Sequence, residues 1–314
     1  MSPLPKITIV GAGQVGSTTA HLLLLKQLGN LVLIDVVDGL AKGKALDLAQ
    51  AAAIEGLPIQ VTGTTDYAAM AGSRIVVITA GLARKPGMSR EDLLAANARI
   101  VGPIAEQIAK AAPDAVVIVV TNPLDVMTHL ALRQTEFPRH RVIGMAGALD
   151  TGRLRAFVAE RLRVPPASVT ATVLGSHGDL MVPLAGSILV DGAPISRLLS
   201  KDEIDRLLVR ARDGGAEIVS LLKTSSAYYA PASGVVDMVQ AILRDEHRVV
   251  PATVRLEGEY GLHHVCIGVP VELAAQGVSR IVEQPLSPEE LQALRLAAQS
   301  VTDNINLLLS AKAS

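Results

Sequence analysis

Aromatic residues are nearly missing from this 314-residue chain: they make up 2% of it, with no Trp. That leaves no stacking platform for single-stranded nucleic acid. Net charge is missing too, with 29 Lys and Arg against 30 Asp and Glu for a balance of -1. No long-range field draws such a chain to nucleic acid or to an anionic membrane, so the expected partner is a small ligand. The one cysteine, Cys266, excludes an internal disulfide and fits a reducing compartment. No apolar run reaches the roughly 20 residues that cross a bilayer. The start, MSPLPKITIV, has neither the basic nor the apolar region of a signal peptide, and the expected location is cytoplasmic. No His, Cys and carboxylate spacing has the form of a zinc site. What is abundant is hydrophobic sequence, 49% of the chain, enough for a large core of Ala, Val, Leu and Ile.

A single core stops growing near roughly 250 to 300 residues, so two lobes sharing an interface are expected. In the first half, near-continuous apolar runs alternate with helical patterns: KITIV from Lys6, NLVLID from Asn30, RIVVITA from Arg74, AVVIVVTN from Ala115 and RVIGMAG from Arg141. Strands apolar on both faces and separated by helices predict a doubly wound α/β domain around a parallel sheet. The texture changes near residue 146, which sets the expected domains at 1–145 and 146–314. The second carries hairpin-like segments such as ILVDGAPI, with a turn at Asp191-Gly192, and helices over 200–224 and 228–245. A last helix starts at SPEE, where Ser287 caps, Pro288 takes the first turn and Glu290 completes a capping box.

The first strand runs into Gly11-Ala12-Gly13-Gln14-Val15-Gly16 and then a helix. Glycines there permit the tight turn and the approach of backbone to a pyrophosphate, and the helix N-terminus offers free N–H groups. The pattern alone is weak. Asp35 strengthens it: it closes the next strand 19 residues after Gly16, where a carboxylate accepts from a ribose diol. It also favours NAD over NADP, because it repels a 2'-phosphate and Val36 and Val37 offer no cation. After a later strand, Thr79-Ala80-Gly81 brings backbone toward the same crevice. Arg84, Lys85 and Arg90 follow around Pro86-Gly87. Guanidinium groups suit carboxylate recognition, although three basic residues also fit a solvated loop.

In ALDTGRLR, Asp150 and Arg153 lie three residues apart on one face of a helix start. Downstream, LGSHGDLMVP holds His177. From GSHGD alone a structural, hydrogen-bonded histidine is the commoner outcome. Alongside the dinucleotide pattern, the Asp-x-x-Arg helix start and the arginine loop, His177 reads as a general acid/base oriented by a carboxylate. His129, His140, His247, His263 and His264 have no comparable surroundings and read as structural or exposed.

Taken in order over essentially the whole chain, GAGQVG, Asp35, ARKPGMSR, TNPLDV, LDTGRLR and GSHGD resemble the lactate/malate dehydrogenase family, most closely its malate dehydrogenases of the lactate-dehydrogenase-like type. The resemblance implies a Rossmann-type NAD-binding domain followed by an α+β substrate domain. It implies that His177 and Asp150 form a proton-transfer pair and that Arg153 holds a C1 carboxylate. By the same resemblance Arg90, on a loop expected to close over 82–92, polarises the reacting carbonyl, and Asn122 contacts substrate and cofactor. Arg84 stands where lactate-specific members carry glutamine, and so selects the second carboxylate of oxaloacetate. Ala227 stands where those members tend to carry threonine. Gly11, Gly13, Gln14, Val15, Gly16, Asp35, Thr79, Ala80, Gly81, Asn97 and Asn122 are the expected cofactor contacts. A homo-oligomer is expected, a tetramer or else a dimer. The alternatives are a lactate or broad 2-hydroxy acid dehydrogenase, against which Arg84 discriminates, and a silent NAD-binding sensor.

Overall fold

The computed structural model describes residues 4–83 and 88–310. The chain begins with β1 (Lys6–Val10), α1 (Gln14–Leu25), β2 (Asn30–Ile34), α2 (Asp38–Ile54), β3 (Val61–Thr64) and β4 (Ser73–Ile78). It continues through α3 (Arg90–Ala111), β5 (Val116–Val119), α4 (Leu124–Thr135), β6 (Val142–Gly144) and α5 (Gly147–Leu162). The five apolar runs all form strands, each buried nearly throughout, as two covered sheet faces require. A sixth strand, β3, has no such run. It lies at the sheet edge, carries Gly63 and stays largely half-buried, so its sequence VTGT lacks the apolar signature.

These six strands pair in parallel in the order β3-β2-β1-β4-β5-β6. The order reverses between β1 and β4, and a crevice opens beyond the carboxyl ends of such a pair. The second half adds β7 (Val169–Thr170), β8 (Val173–Gly175), β9 (Met181–Pro183), β10 (Leu189–Val190), β11 (Ala193–Pro194), α6 (Lys201–Leu222) and α7 (Tyr229–Leu243). It closes with β12 (Arg248–Glu257), β13 (His263–Ala274), β14 (Gly277–Ile281) and α8 (Pro288–Ser310). The Asp191-Gly192 turn joins β10 to β11 with both residues at positive φ, 47° and 80°. In the last helix Glu290 N donates to Ser287 Oγ at 3.2 Å and Ser287 N to Glu290 Oε2 at 2.9 Å, closing the box.

One feature was not expected from two lobes in contact. The parallel sheet runs on into the second half: β6 meets β12 antiparallel through Gly144 and Thr253, and β12, β13, β8 and β9 follow in the same sheet. The main core follows it, with residues from Ile7 to Leu308, while a smaller cluster around Leu154, Val173, Ile188 and Leu207 lies under α5 and α6. Pairing of Gly268 with Gly175 places β8, and the loop that follows it, beside β13, one strand away from β12. No helix among the described residues is long and apolar enough to cross a membrane.

Candidate active site

The loop from β1 to α1 is built around close approach. Gly11 has φ +107°, and a Cβ on it would lie 2.5 Å from Ala80 N; one on Gly16 would lie 1.9 Å from Gly11 O. A Cβ on Gly13 would meet nothing within 4 Å, so that position faces open space. Helix α1 starts there with no side-chain cap and no acid in its first turn. Its N-terminal N–H groups and positive dipole end are thus left to an anion, as a pyrophosphate requires. Asp35 binds the loop to β2: its Oδ2 accepts from Ala12 N at 2.7 Å and its Oδ1 from Val37 N at 3.0 Å. Val36 and Val37 are exposed beside it. A glycine cradle, an uncapped helix start and a carboxylate with no ion-pair partner among the described residues fit an NAD molecule laid across the switch point.

The ends of β1, β4 and β5 are tied together at this crevice. Thr79 Oγ1 donates to Gly11 O at 2.8 Å, and Thr121 Oγ1 to Ala80 O at 2.7 Å. Asn97, fully buried on α3, accepts from Leu82 N at 2.7 Å and donates to Leu82 O at 3.1 Å and Asn122 O at 2.6 Å. Its amide therefore holds the segment after β4 against the exposed Asn122. Arg90 occupies the first turn of α3 and pairs with Asp179, with 76% and 74% of the two side chains exposed. Arg84, Lys85, Pro86 and Gly87 lie outside the described residues, and with them the specificity position.

The expected trio meets at the amino end of α5. Asp150 Oδ2 lies 2.8 Å from His177 Nδ1, and its Oδ1 accepts from Arg153 Nη1 at 3.2 Å. Asp150 is nearly inaccessible at 3%, Arg153 is 12% exposed and His177 19%. Burial pulls the imidazole toward its neutral form. The charge and hydrogen bond of Asp150 and the charge of Asp125 outweigh both burial and Arg153, and hold its pKa above the ordinary value. With Nδ1 engaged by a carboxylate, proton exchange falls to Nε2. Arg153, 12% exposed, keeps its charge beside His177 with Asp150 taking only one of its guanidinium N–H groups among the described residues, which leaves donors for an anion. An imidazole able to give or take one proton thus sits beside a cation able to hold a carboxylate, near a nucleotide cradle.

One residue here escaped the sequence reading. Asp125 stood in the quoted TNPLDV without a role, yet it is 3% exposed and bonded to the His177 loop. Its only sequence signal was a charge in an otherwise apolar helix turn, LDVM.

Two family models match the chain: the lactate/malate dehydrogenase NAD binding domain over residues 5–144, and the alpha/beta C-terminal domain of the same family over 147–311. A malate dehydrogenase of Roseiflexus castenholzii is 50% identical over 304 residues, 97% of this chain and 98% of that protein. The crystal structure of Cryptosporidium parvum malate dehydrogenase superposes with a TM-score of 0.95 at 40% identity, covering 98% of this chain and 99% of the other. The lactate dehydrogenase of the same organism, complexed with lactic acid and nicotinamide adenine dinucleotide, gives 0.95 at 37% identity over 98% and 99%. Two matched halves and half-identical relatives along nearly the full length leave one assignment: the chain belongs to the lactate/malate dehydrogenase family.

Proposed function

We propose that this protein is an NAD-dependent malate dehydrogenase, interconverting (S)-malate and oxaloacetate. The observation that carries the chemistry is Asp150 holding the His177 ring at 2.8 Å and the Arg153 guanidinium at 3.2 Å. The malate dehydrogenases it matches at 50% and 48% identity support the substrate.

Arg153 grips the C1 carboxylate through its guanidinium. His177 takes the hydroxyl proton during malate oxidation and returns it during oxaloacetate reduction, while Asp150 fixes its tautomer and steadies the imidazolium. Arg90 stabilises charge on the reacting oxygen. Its partner Asp179 is exposed, and exposed pairs contribute little, so exchanging it for substrate costs little. Asn122 contacts substrate and cofactor, and Asn97 supports it from behind. Arg84 pairs with the second carboxylate of oxaloacetate, and Ala227, between α6 and α7, leaves that end of the pocket without a hydroxyl. The glycine loop from Gly11 to Gly16, Asp35 and the backbone at Thr79, Ala80 and Gly81 hold the dinucleotide. When bound, the nicotinamide supplies hydride acceptance from C2 of malate and hydride return to oxaloacetate.

A domain change near residue 146, a cytoplasmic setting and a step of the tricarboxylic acid cycle belong to the same reading. The deciding experiment is NADH oxidation with oxaloacetate and pyruvate side by side. A cation left without its carboxylate partner over a methyl group rejects pyruvate by up to about 10⁴-fold in kcat/KM, and Arg84→Gln narrows that ratio. Preference for pyruvate overturns the specificity; tight NADH binding without turnover of either acid points instead to a silent sensor.

A further inference from the structure

Asp125 lies in the first turn of α4, almost wholly buried, and pairs with no cation among the described residues. Its Oδ2 accepts from Ser176 Oγ at 2.7 Å and from the His177 backbone N–H at 3.1 Å, and its Oδ1 accepts from Thr253 Oγ1 at 2.7 Å. One carboxylate thereby joins three separate pieces of chain: α4, directly after Asn122; the loop carrying His177; and β12. The positive φ of Gly175 and Gly178, 87° and 111°, shapes that loop on either side of the histidine.

Resting on the proton-transfer role proposed for His177, we infer that Asp125 is a positioning residue that fixes the main chain of the histidine while Asp150 fixes its ring, and that its unpaired charge acts on the imidazole it holds. Geometry alone does not call for a charge at this position. An amide could satisfy the same three partners, accepting from Ser176 and the His177 N–H and donating to Thr253, without the cost of burying an ion. A buried charge tells on a neighbour that titrates, and His177 is that neighbour. Burial pushes the Asp125 carboxyl up, while the three donors act to keep it ionised, as does its place at the positive end of α4. The groups facing His177 are Asp150 and Arg153 from α5 and Asp125 from α4. The Cys266 thiol of β13, near Asp125, is held neutral by burial.

Asp125→Asn separates charge from shape. The amide oxygen can take over both Oδ2 contacts, and the amide nitrogen can donate to Thr253 Oγ1, which also accepts. Malate oxidation needs the neutral imidazole and oxaloacetate reduction needs the protonated one. Removing a negative charge favours the neutral form. The midpoints of both pH profiles therefore move down, by about 0.5 to 1 unit: oxidation gains at acid pH and reduction loses at alkaline pH. Profiles coincident with wild type overturn the charge effect.

Ser176→Ala tests positioning: it loosens the histidine loop from Oδ2, and any loss of charge on Asp125 with one donor gone moves the midpoints down, as in the Asn variant, and not up. It lowers kcat by about 3- to 10-fold at the optimum of each pH profile with NADH affinity unchanged; an unaltered kcat overturns the positioning role, even where the Asn variant does not fold. Should the wild-type protein turn over neither acid, the proposed function falls. Should it turn over oxaloacetate while both variants match it, the Asp125 inference alone falls.

Discussion

Asp150 serves two side chains at once, and each of its oxygens has one partner: His177 on one, Arg153 on the other. Replacing Arg153 by Lys keeps the charge but loses the planar fork that grips a carboxylate in two places. A charged hydrogen bond lost on the substrate side costs about 1.5 to 3 kcal/mol, so Arg153→Lys lowers kcat/KM for oxaloacetate about 10- to 100-fold. NADH titration of the same variant stays at the wild-type dissociation constant, because the dinucleotide cradle is untouched. An unchanged kcat/KM would remove Arg153 from the substrate site. Residues of this kind were legible because their chemistry is local: Asp150 and Arg153 share a helix face, and His177 stands out among small residues. Asp125 was not, since its meaning comes from Ser176, His177 and Thr253, which lie 51, 52 and 128 residues away in the chain.

Among the elements, the turn from β1 to α1 shows two glycines required for different reasons. At Gly16 a Cβ collides with Gly11 O at 1.9 Å, backbone against backbone, whereas at Gly13 it meets nothing within 4 Å. Gly16→Ala therefore strains the fold itself, by about 1 to 3 kcal/mol as in other overpacked sites, and lowers Tm along with NADH affinity. Gly13→Ala gives up a favoured N-cap residue and lowers Tm by only about 1 to 2 degrees, yet raises the NADH dissociation constant about 10-fold by crowding the pyrophosphate. Calorimetry with NADH titration on both variants checks this. Equal loss of Tm in the two would mean that Gly13 serves the fold and not the ligand. Strand, loop and helix could all be read here because hydrophobic period and glycine spacing are local signals. The edge strand β3 could not, for half-exposed VTGT carries neither.

For the molecule as a whole, sequence reading reached two halves but missed the sheet that runs through both, because the β6 to β12 link is a single residue pair, Gly144 with Thr253. The outer surface carries a further message. Among the described residues, large apolar side chains stand exposed. On α2, Leu46 is 63% and Ile54 86% exposed, and toward the far end Leu221 is 74% and Val249 45% exposed. Leu221 and Val249 line a cavity of about 880 Å³ between α5, α6, α7 and β12, which also reaches Arg153. Apolar surface beside a functional arginine is what a neighbouring subunit covers. The expected state is a homo-oligomer. Sedimentation equilibrium at micromolar concentration should give a tetramer of about 131 kDa, four times the 32.8 kDa chain, with a dimer still in keeping with burial of one face. A 32.8 kDa monomer would leave these patches bare in solution and overturn the assembly. Leu221→Asp, which places a charge in the largely apolar lining of that cavity, shifts the sedimenting species toward smaller mass; an unchanged mass would separate the cavity from the assembly.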